Sequence, residues 1–261
     1  MRITEKRFLR GPSLYNTAPC LMAVIDSAGL VPAPGFGVRL LALLPALSPE
    51  VAARLPDLAC VADAVEPVVM ELQRLAGAPA DFSQTLAVAR RLDARRAVCG
   101  YLTERVAGQA LDLAIGMITA LARGEEFDLA PALAELHETA EDYAIGTSTG
   151  AVVNAALKRG IPALRITDEA NLFQLGWGSK QKRLQATITA ATNSIAVGIA
   201  SDKQLTKTLL EQAGVPVPGG ASVTTVDDAQ RVARRFNGPA TIKPLDANQG
   251  KGVTTTCTTP E

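Results

Sequence analysis

The sequence predicts an α/β protein of the α+β kind, in two parts: residues 1–160 and residues 161–261. Apolar runs of strand length, such as Leu21 to Ile25, alternate with long stretches at helical spacing, such as Arg105 to Ala122 and Phe127 to Tyr143. Near the end, residues 239–256 read as a short strand, a glycine loop and a second, β-branched strand. At 261 residues and 48% apolar composition, the chain has enough material for one large core or two small ones.

Taken in order, Leu21 to Ile25 is a buried strand, and Pro32, Pro34, Gly35 and Gly37 make a loop. Val38 to Leu44 forms a short helix ending near Pro45, and a longer one runs from about Val68 to Ala76. Thr85 to Ala89 and Arg96 to Leu102 are expected to pair as strands. The two long helices follow, the second carrying His137, the chain's single histidine, read as a partly exposed helix residue. Gly146 to Gly150 should open a helix over Ala151 to Lys158, which puts Ser148 and Thr149 at its N-terminus. Free N–H groups and the helix dipole there suit a carboxylate, although a serine N-cap is the plainer use. Gly176 and Gly178 bracket Trp177 in a hairpin turn, with the indole used for packing.

Composition excludes several classes. With 26 basic and 26 acidic residues and no basic cluster, nucleic acid is not expected as a partner. Cys20, Cys60, Cys99 and Cys257 lack CxxC spacing and read as reduced, mostly buried thiols. One histidine cannot build a multi-histidine metal centre, and no metal ligand is assigned. The opening Met-Arg-Ile-Thr-Glu-Lys-Arg has no apolar h-region and no later run is expected to span a membrane, so a cytoplasmic protein is expected, without a membrane partner.

The chemistry concentrates late in the chain. Ala240 to Ile242 and Val253 to Thr256 flank a loop containing Asn248, Gly250 and Gly252, with Lys243 and Lys251 beside it. Glycines let the backbone gather several N–H groups into one concavity that holds phosphate oxygens, and lysines add point charges. Upstream, Ser201-Asp-Lys-Gln-Leu-Thr-Lys207 opens a helix, capped by Ser201 or Asp202, that Gly214 ends. Leu205, Leu209 and Leu210 are its apolar face, and Lys207 is read as solvated.

The Ile242-Lys243-Pro244 strand and glycine loop, with Asp202-Lys203 and Ala213-Gly-Val-Pro-Val-Pro218 ahead of it, resemble the ATP-grasp ligases. That resemblance implies ATP as cofactor, with Lys203, Lys243, Gly250, Lys251 and Gly252 around its phosphates. Further stretches are similar to the cyanophycin synthetases: Leu9-Arg-Gly-Pro12, Phe127-Asp-Leu129, Ile145-Gly-Thr-Ser-Thr149 and Arg159-Gly-Ile-Pro162. Most specific is Gln174-Leu-Gly-Trp-Gly178 followed by Lys182-Arg-Leu-Gln-Ala-Thr187. The likeness runs in register from Leu9 to Thr256 and implies an accessory domain before the incomplete start of an ATP-grasp domain.

It also implies a reaction. ATP would phosphorylate the carboxylate ending an aspartate chain, and an incoming amine would displace the phosphate, so that aspartate and arginine are added to a cyanophycin primer. Ser148 and Thr149 would then hold the polymer's aspartate end. The catalytic residues themselves are not assigned, Mg²⁺ ligands are expected in a portion beyond residue 261, and the longer parent is expected to be a homo-oligomer. The chain is thus expected to be the inactive front of such a ligase. Its residual nucleotide binding is expected to be weak and salt-sensitive, about millimolar, or roughly 4 kcal/mol.

Some residues depart from the family. Asp63 and Pro67 stand where many members have the two histidines of a metal-binding segment around Glu66, so a hydrolytic metal site is not expected. Gly198 replaces an acidic substrate contact, which bears on amino-acid specificity. The alternatives are a different ATP-grasp peptide ligase, of the D-alanine–D-alanine or glutathione type, or a non-catalytic module that binds polymer or a partner.

Overall fold

The computed structural model describes residues 1–47, 49–54, 60–167, 170–236, 238–247 and 250–257. Asn248 of the expected phosphate loop lies outside the described residues. The chain divides into two compact units, Met1–Ala190 and Ala191–Glu261.

In the first unit, β1 (Arg2–Leu9), β2 (Cys20–Asp26), β3 (Ser83–Val88) and β4 (Arg91–Gly100) make an antiparallel sheet ordered β1-β2-β4-β3. β2 sits inside it and is buried on both faces, which is why its sequence is a continuous apolar run rather than an alternation. Leu21, Ala23 and Ile25 point to the main core, while Cys20, Met22 and Val24 join Val98 in a smaller cluster on the other face. The predicted pair of strands is β3 and β4, in antiparallel register. β1 escaped the sequence reading because its face is broken by Glu5, Lys6 and Arg7 and its register by a bulge between Ile3 and Glu5.

The helices of this unit are α1 (Phe36–Leu43), α2 (Pro49–Arg54), α3 (Val65–Leu75), α4 (Glu104–Ala122), α5 (Leu129–Asp142) and α6 (Thr147–Lys158). Val65, Val68 and Leu72 of α3 and Ala107, Leu111, Met117 and Ile118 of α4 fill the core against β2. Burying a side chain the size of Leu72 or Leu111 contributes about 2 kcal/mol. α4 has the length and mean hydropathy (1.2) of a membrane-spanning helix, contrary to the expectation that no run would reach it. Half of that window is buried within the protein, which accounts for its apolar composition. Asp128 caps α5 by accepting from the Ala130 N–H at 3.1 Å. α6 starts at Thr147, four residues before the expected start, because Gly146 is its N-cap.

A second antiparallel sheet closes the unit, in the order β5 (Ala163–Thr167), β6 (Leu172–Leu175), β7 (Lys182–Gln185) and β8 (Ile188–Thr189). The turn between β6 and β7 is the expected one around Trp177, with Gly176 at φ 76° and Gly178 at φ 60°. Val153 of α6 packs with Phe173 and Leu184 against this sheet. The expected domain boundary at residue 160 therefore falls between α6 and β5, within this unit.

The second unit holds α7 (Ser194–Ser201), α8 (Lys203–Gln212), α9 (Val226–Ala233) and a hairpin of β9 (Ala240–Ile242) with β10 (Thr254–Cys257). Asp202 caps α8 by accepting from the N–H groups of Gln204 and Leu205, both at 2.9 Å. Gly214, at φ 75°, ends that helix as expected. None of the described residues in this unit is fully buried, and the expected apolar face of α8 (Leu205, Leu209, Leu210) is about 40% exposed.

Candidate functional site

The hairpin of the second unit is built as its sequence implies. Ile242 pairs with Thr254, and Lys243 leaves the end of β9 exposed to solvent. Gly250 and Gly252 have φ of 77° and 67°, a region where a side chain costs about 1 kcal/mol or more. A Cβ at Gly252 would also lie 2.8 Å from Cγ of Pro244, so the two limbs of the loop approach each other too closely for any other residue. Lys243, Gly250, Lys251 and Gly252 thus share one loop, with Asp246 its single carboxylate.

Lys203 joins the same loop from α8. Its ammonium donates to the carbonyl oxygens of Ala247 at 2.6 Å and Leu245 at 2.8 Å. Lys203, expected from the sequence to converge with the glycine hairpin on one nucleotide, is therefore in contact with that hairpin itself. Lys207 departs from its reading as a solvated lysine: its side chain is 18% exposed, donates to the Gly220 carbonyl at 2.7 Å and lies 3.8 Å from the Glu211 carboxylate. Its pull on the connector after α8 was not legible, because the partner is a backbone oxygen.

Ser148 and Thr149 belong to the first unit and differ from each other. Ser148 is exposed in the first turn of α6. Thr149 is 3% exposed; its hydroxyl donates to the Ala186 carbonyl at 3.1 Å and receives the Asn171 amide at 3.1 Å. Thr149 therefore ties α6 to the turns around β6 and β7. Of the two hydroxyls, that of Ser148 is the one open to an incoming carboxylate.

The first unit also contains a cleft of about 1050 Å³ that sequence reasoning missed. Arg10, Tyr101, Glu104 and Arg165 are among its lining residues. Glu104 accepts both a forked contact from Arg10 and the Tyr101 hydroxyl at 3.2 Å. Burial, then the Glu104 charge, raises the Tyr101 pKa well above its ordinary value. Arg165 donates to the Tyr143 carbonyl at 2.6 Å and to the Thr103 hydroxyl at 3.2 Å. The Arg10 match in Leu9-Arg-Gly-Pro12 was the available signal for this cleft.

The departures read from the sequence have structural counterparts. Asp63 forms a fork with Arg95, at 2.6 and 3.1 Å, and this hydrogen bonding raises the arginine's pKa. Glu66 accepts from the Thr85 hydroxyl at 3.1 Å. His137 sits partly exposed on α5, with Nδ1 3.3 Å from the Ala76 carbonyl and Nε2 3.4 Å from Glu141. Gly198 lies on α7 with open space where a side chain would stand. Among the described residues, no group of three or more His, Cys, Asp or Glu side chains comes together.

No family model matches the chain. It is 33% identical to the cyanophycin synthetases of Trichormus variabilis and Nostoc sp., over 97% of this chain and 30% of theirs. The cyanophycin synthetase of Synechocystis sp. is 31% identical over a similar span. A shorter match, 32% identical, covers 41% of this chain and 14% of the glutathione biosynthesis bifunctional protein of Clostridium perfringens. The class these likenesses define is that of the synthetases they are named for, to which this chain is similar in sequence. Within that class it is a homologue of the cyanophycin synthetases, and it spans about 30% of their length.

Proposed function

We propose that this chain supplies the phosphate-binding hairpin and the polymer-facing helix end of an ATP-dependent ligase that builds cyanophycin. The reading is supported above all by the contact between Lys203 and the glycine hairpin, which joins two motifs forty residues apart in sequence. The exposed Lys243 and Lys251 beside Gly250 and Gly252 support ATP as the ligand of this loop.

ATP, where bound, supplies the phosphoryl group that turns a carboxylate oxygen into a leaving group. The chain's own groups hold the charge. Lys243 and Lys251 would set cations beside the phosphates, and the amides at Gly250 and Gly252 would donate to them. Asp202 holds Lys203 at the first turn of α8 by capping that helix. Ser148 offers a hydroxyl and the N–H groups of the α6 terminus to the aspartate end of the polymer. Asp246, alone in the hairpin loop, does not make a Mg²⁺ site there, and no step is assigned to a metal. Aspartate and arginine as added units, and assembly with further copies in a cytoplasmic enzyme, follow the same reading.

An ATP analogue with an acyl phosphate that transfers to nearby lysines tests this reading. Peptide mapping should find Lys203, Lys243 or Lys251 modified, with excess ATP suppressing the label. Equal labelling of Lys158 and Lys182, insensitive to ATP, overturns it.

A further inference from the structure

An ammonium group has three N–H donors, and two of those of Lys203 are committed to Leu245 and Ala247. Carbonyl oxygens are neutral acceptors, and an ammonium bonded to two of them has a third N–H. One helical turn on, Lys207 holds the Gly220 carbonyl in the same way. α8 therefore carries two lysines at i and i+4, on one face, each pinning the backbone of a different connector.

We infer that Lys203 is a positioning residue that couples anion occupancy to the order of the hairpin. Two of its N–H groups clamp the turn at 245–247, and the third is offered to a phosphate oxygen. A bound phosphate draws the ammonium into a fixed place and so tightens the turn it already holds. Without the clamp, the loop that carries Gly250 and Gly252 loses its tie to α8. The clamp stands on the hydrogen bonds alone; the coupling to phosphate rests on the nucleotide reading.

Residue-resolved amide exchange on the 261-residue chain tests both parts, using wild type, Lys203→Met, Lys203→Arg and Lys207→Met, with and without inorganic tripolyphosphate. Without anion, Lys203→Met should speed exchange at Asp246, Ala247 and Gly250 to Val253 about tenfold. Lys203→Arg, which keeps several donors, should restore most of the protection, and Lys207→Met should leave these amides unchanged. The amides of α9, in the same unit, serve as the folding control. Tripolyphosphate should slow exchange at Asp246 and Ala247 several-fold in wild type and leave them unchanged in Lys203→Met, whereas Gly250 and Gly252, which would meet the anion directly, should be slowed in both. Wild-type exchange in ligand-free Lys203→Met overturns the clamp. A normal clamp with measurable tripolyphosphate binding but no added protection at Asp246 and Ala247 overturns the coupling. Absence of any tripolyphosphate binding to wild type counts against the nucleotide reading and removes the coupling with it, while leaving the clamp to its own result.

Discussion

Trp177 packs against Gly11: a methyl group added at Gly11 would sit 3.7 Å from Cη2 of the indole. Two stretches that the sequence marked separately, Leu9-Arg-Gly-Pro12 and Gln174-Leu-Gly-Trp-Gly178, are thereby joined within the first unit. The space accepts one methyl in ordinary contact. Gly11→Ala should leave the emission of Trp177, the chain's single tryptophan, within a few nanometres of wild type. Gly11→Leu should expel the ring, shift the emission to the red and lower Tm by several degrees, for a loss of roughly 1 kcal/mol. Unchanged emission in Gly11→Leu contradicts the contact.

The Asp63–Arg95 fork is mostly buried, with side chains 13% and 15% exposed. Removing one partner leaves an uncompensated charge, so Arg95→Met should cost roughly 3 kcal/mol in urea unfolding. Asp63→Asn combined with Arg95→Met should cost clearly less than the sum of the single changes, since neither charge is then stranded. Strict additivity would mean the fork is a surface pair of little consequence.

Asp26 gives a pH dependence with a definite sign. The Ala28 N–H, followed by Arg91 and Arg2, holds its carboxyl below the ordinary value of 3.8. A lowered folded pKa stabilises the protein fully above the unfolded value, and that stability is lost as pH falls through the folded one. Acid unfolding should therefore steepen below about pH 4. Asp26→Asn should flatten that part of the curve and leave the shape between pH 6 and 8 unchanged. The same steep acid limb in the variant would place the effect elsewhere.

The thiols should separate into two groups. Cys20, Cys60 and Cys99 are buried, and burial raises the pKa of Cys20 and, strongly, of Cys99. Cys257 is only half-buried, at the end of β10. An aromatic disulfide reagent at pH 8 should modify Cys257 quickly and the other three only on unfolding, at least a hundredfold more slowly. Fast reaction of Cys20 or Cys99 would contradict the packing around β2.

Much of this was legible in the sequence because it is local chemistry. Asp202, Gly214, Gly176 and Gly178 act through their own backbone, so each announces its cap or turn. The apolar run of β2 announces burial on both faces, and the hairpin announces itself through Lys243, Gly250 and Gly252. What remained hidden depends on distant partners. β1 is stabilised by its pairing with β2 rather than by its own pattern. Thr149 looked like a ligand residue, but Ala186 and Asn171, far along the chain, occupy its hydroxyl. Lys203 looked like a free phosphate lysine, but the Leu245 and Ala247 carbonyls hold it, and no residue type marks a carbonyl as a partner.

If the hairpin carries the nucleotide phosphates, ATP titrated by calorimetry must respond to the loop's lysines. Lys243 is an exposed cation of the loop, as is Lys251, whereas Lys158 ends α6 in the other unit. Wild type should bind ATP more weakly as salt rises from 20 to 300 mM, as expected for largely exposed charges. Lys243→Ala should weaken binding at low salt about fivefold or more, a loss of ~1 kcal/mol, and should reduce the salt dependence. Lys158→Ala should match wild type at every salt concentration. Lys243→Ala binding ATP as wild type does, with the same salt dependence, would mean that the hairpin does not carry the phosphates.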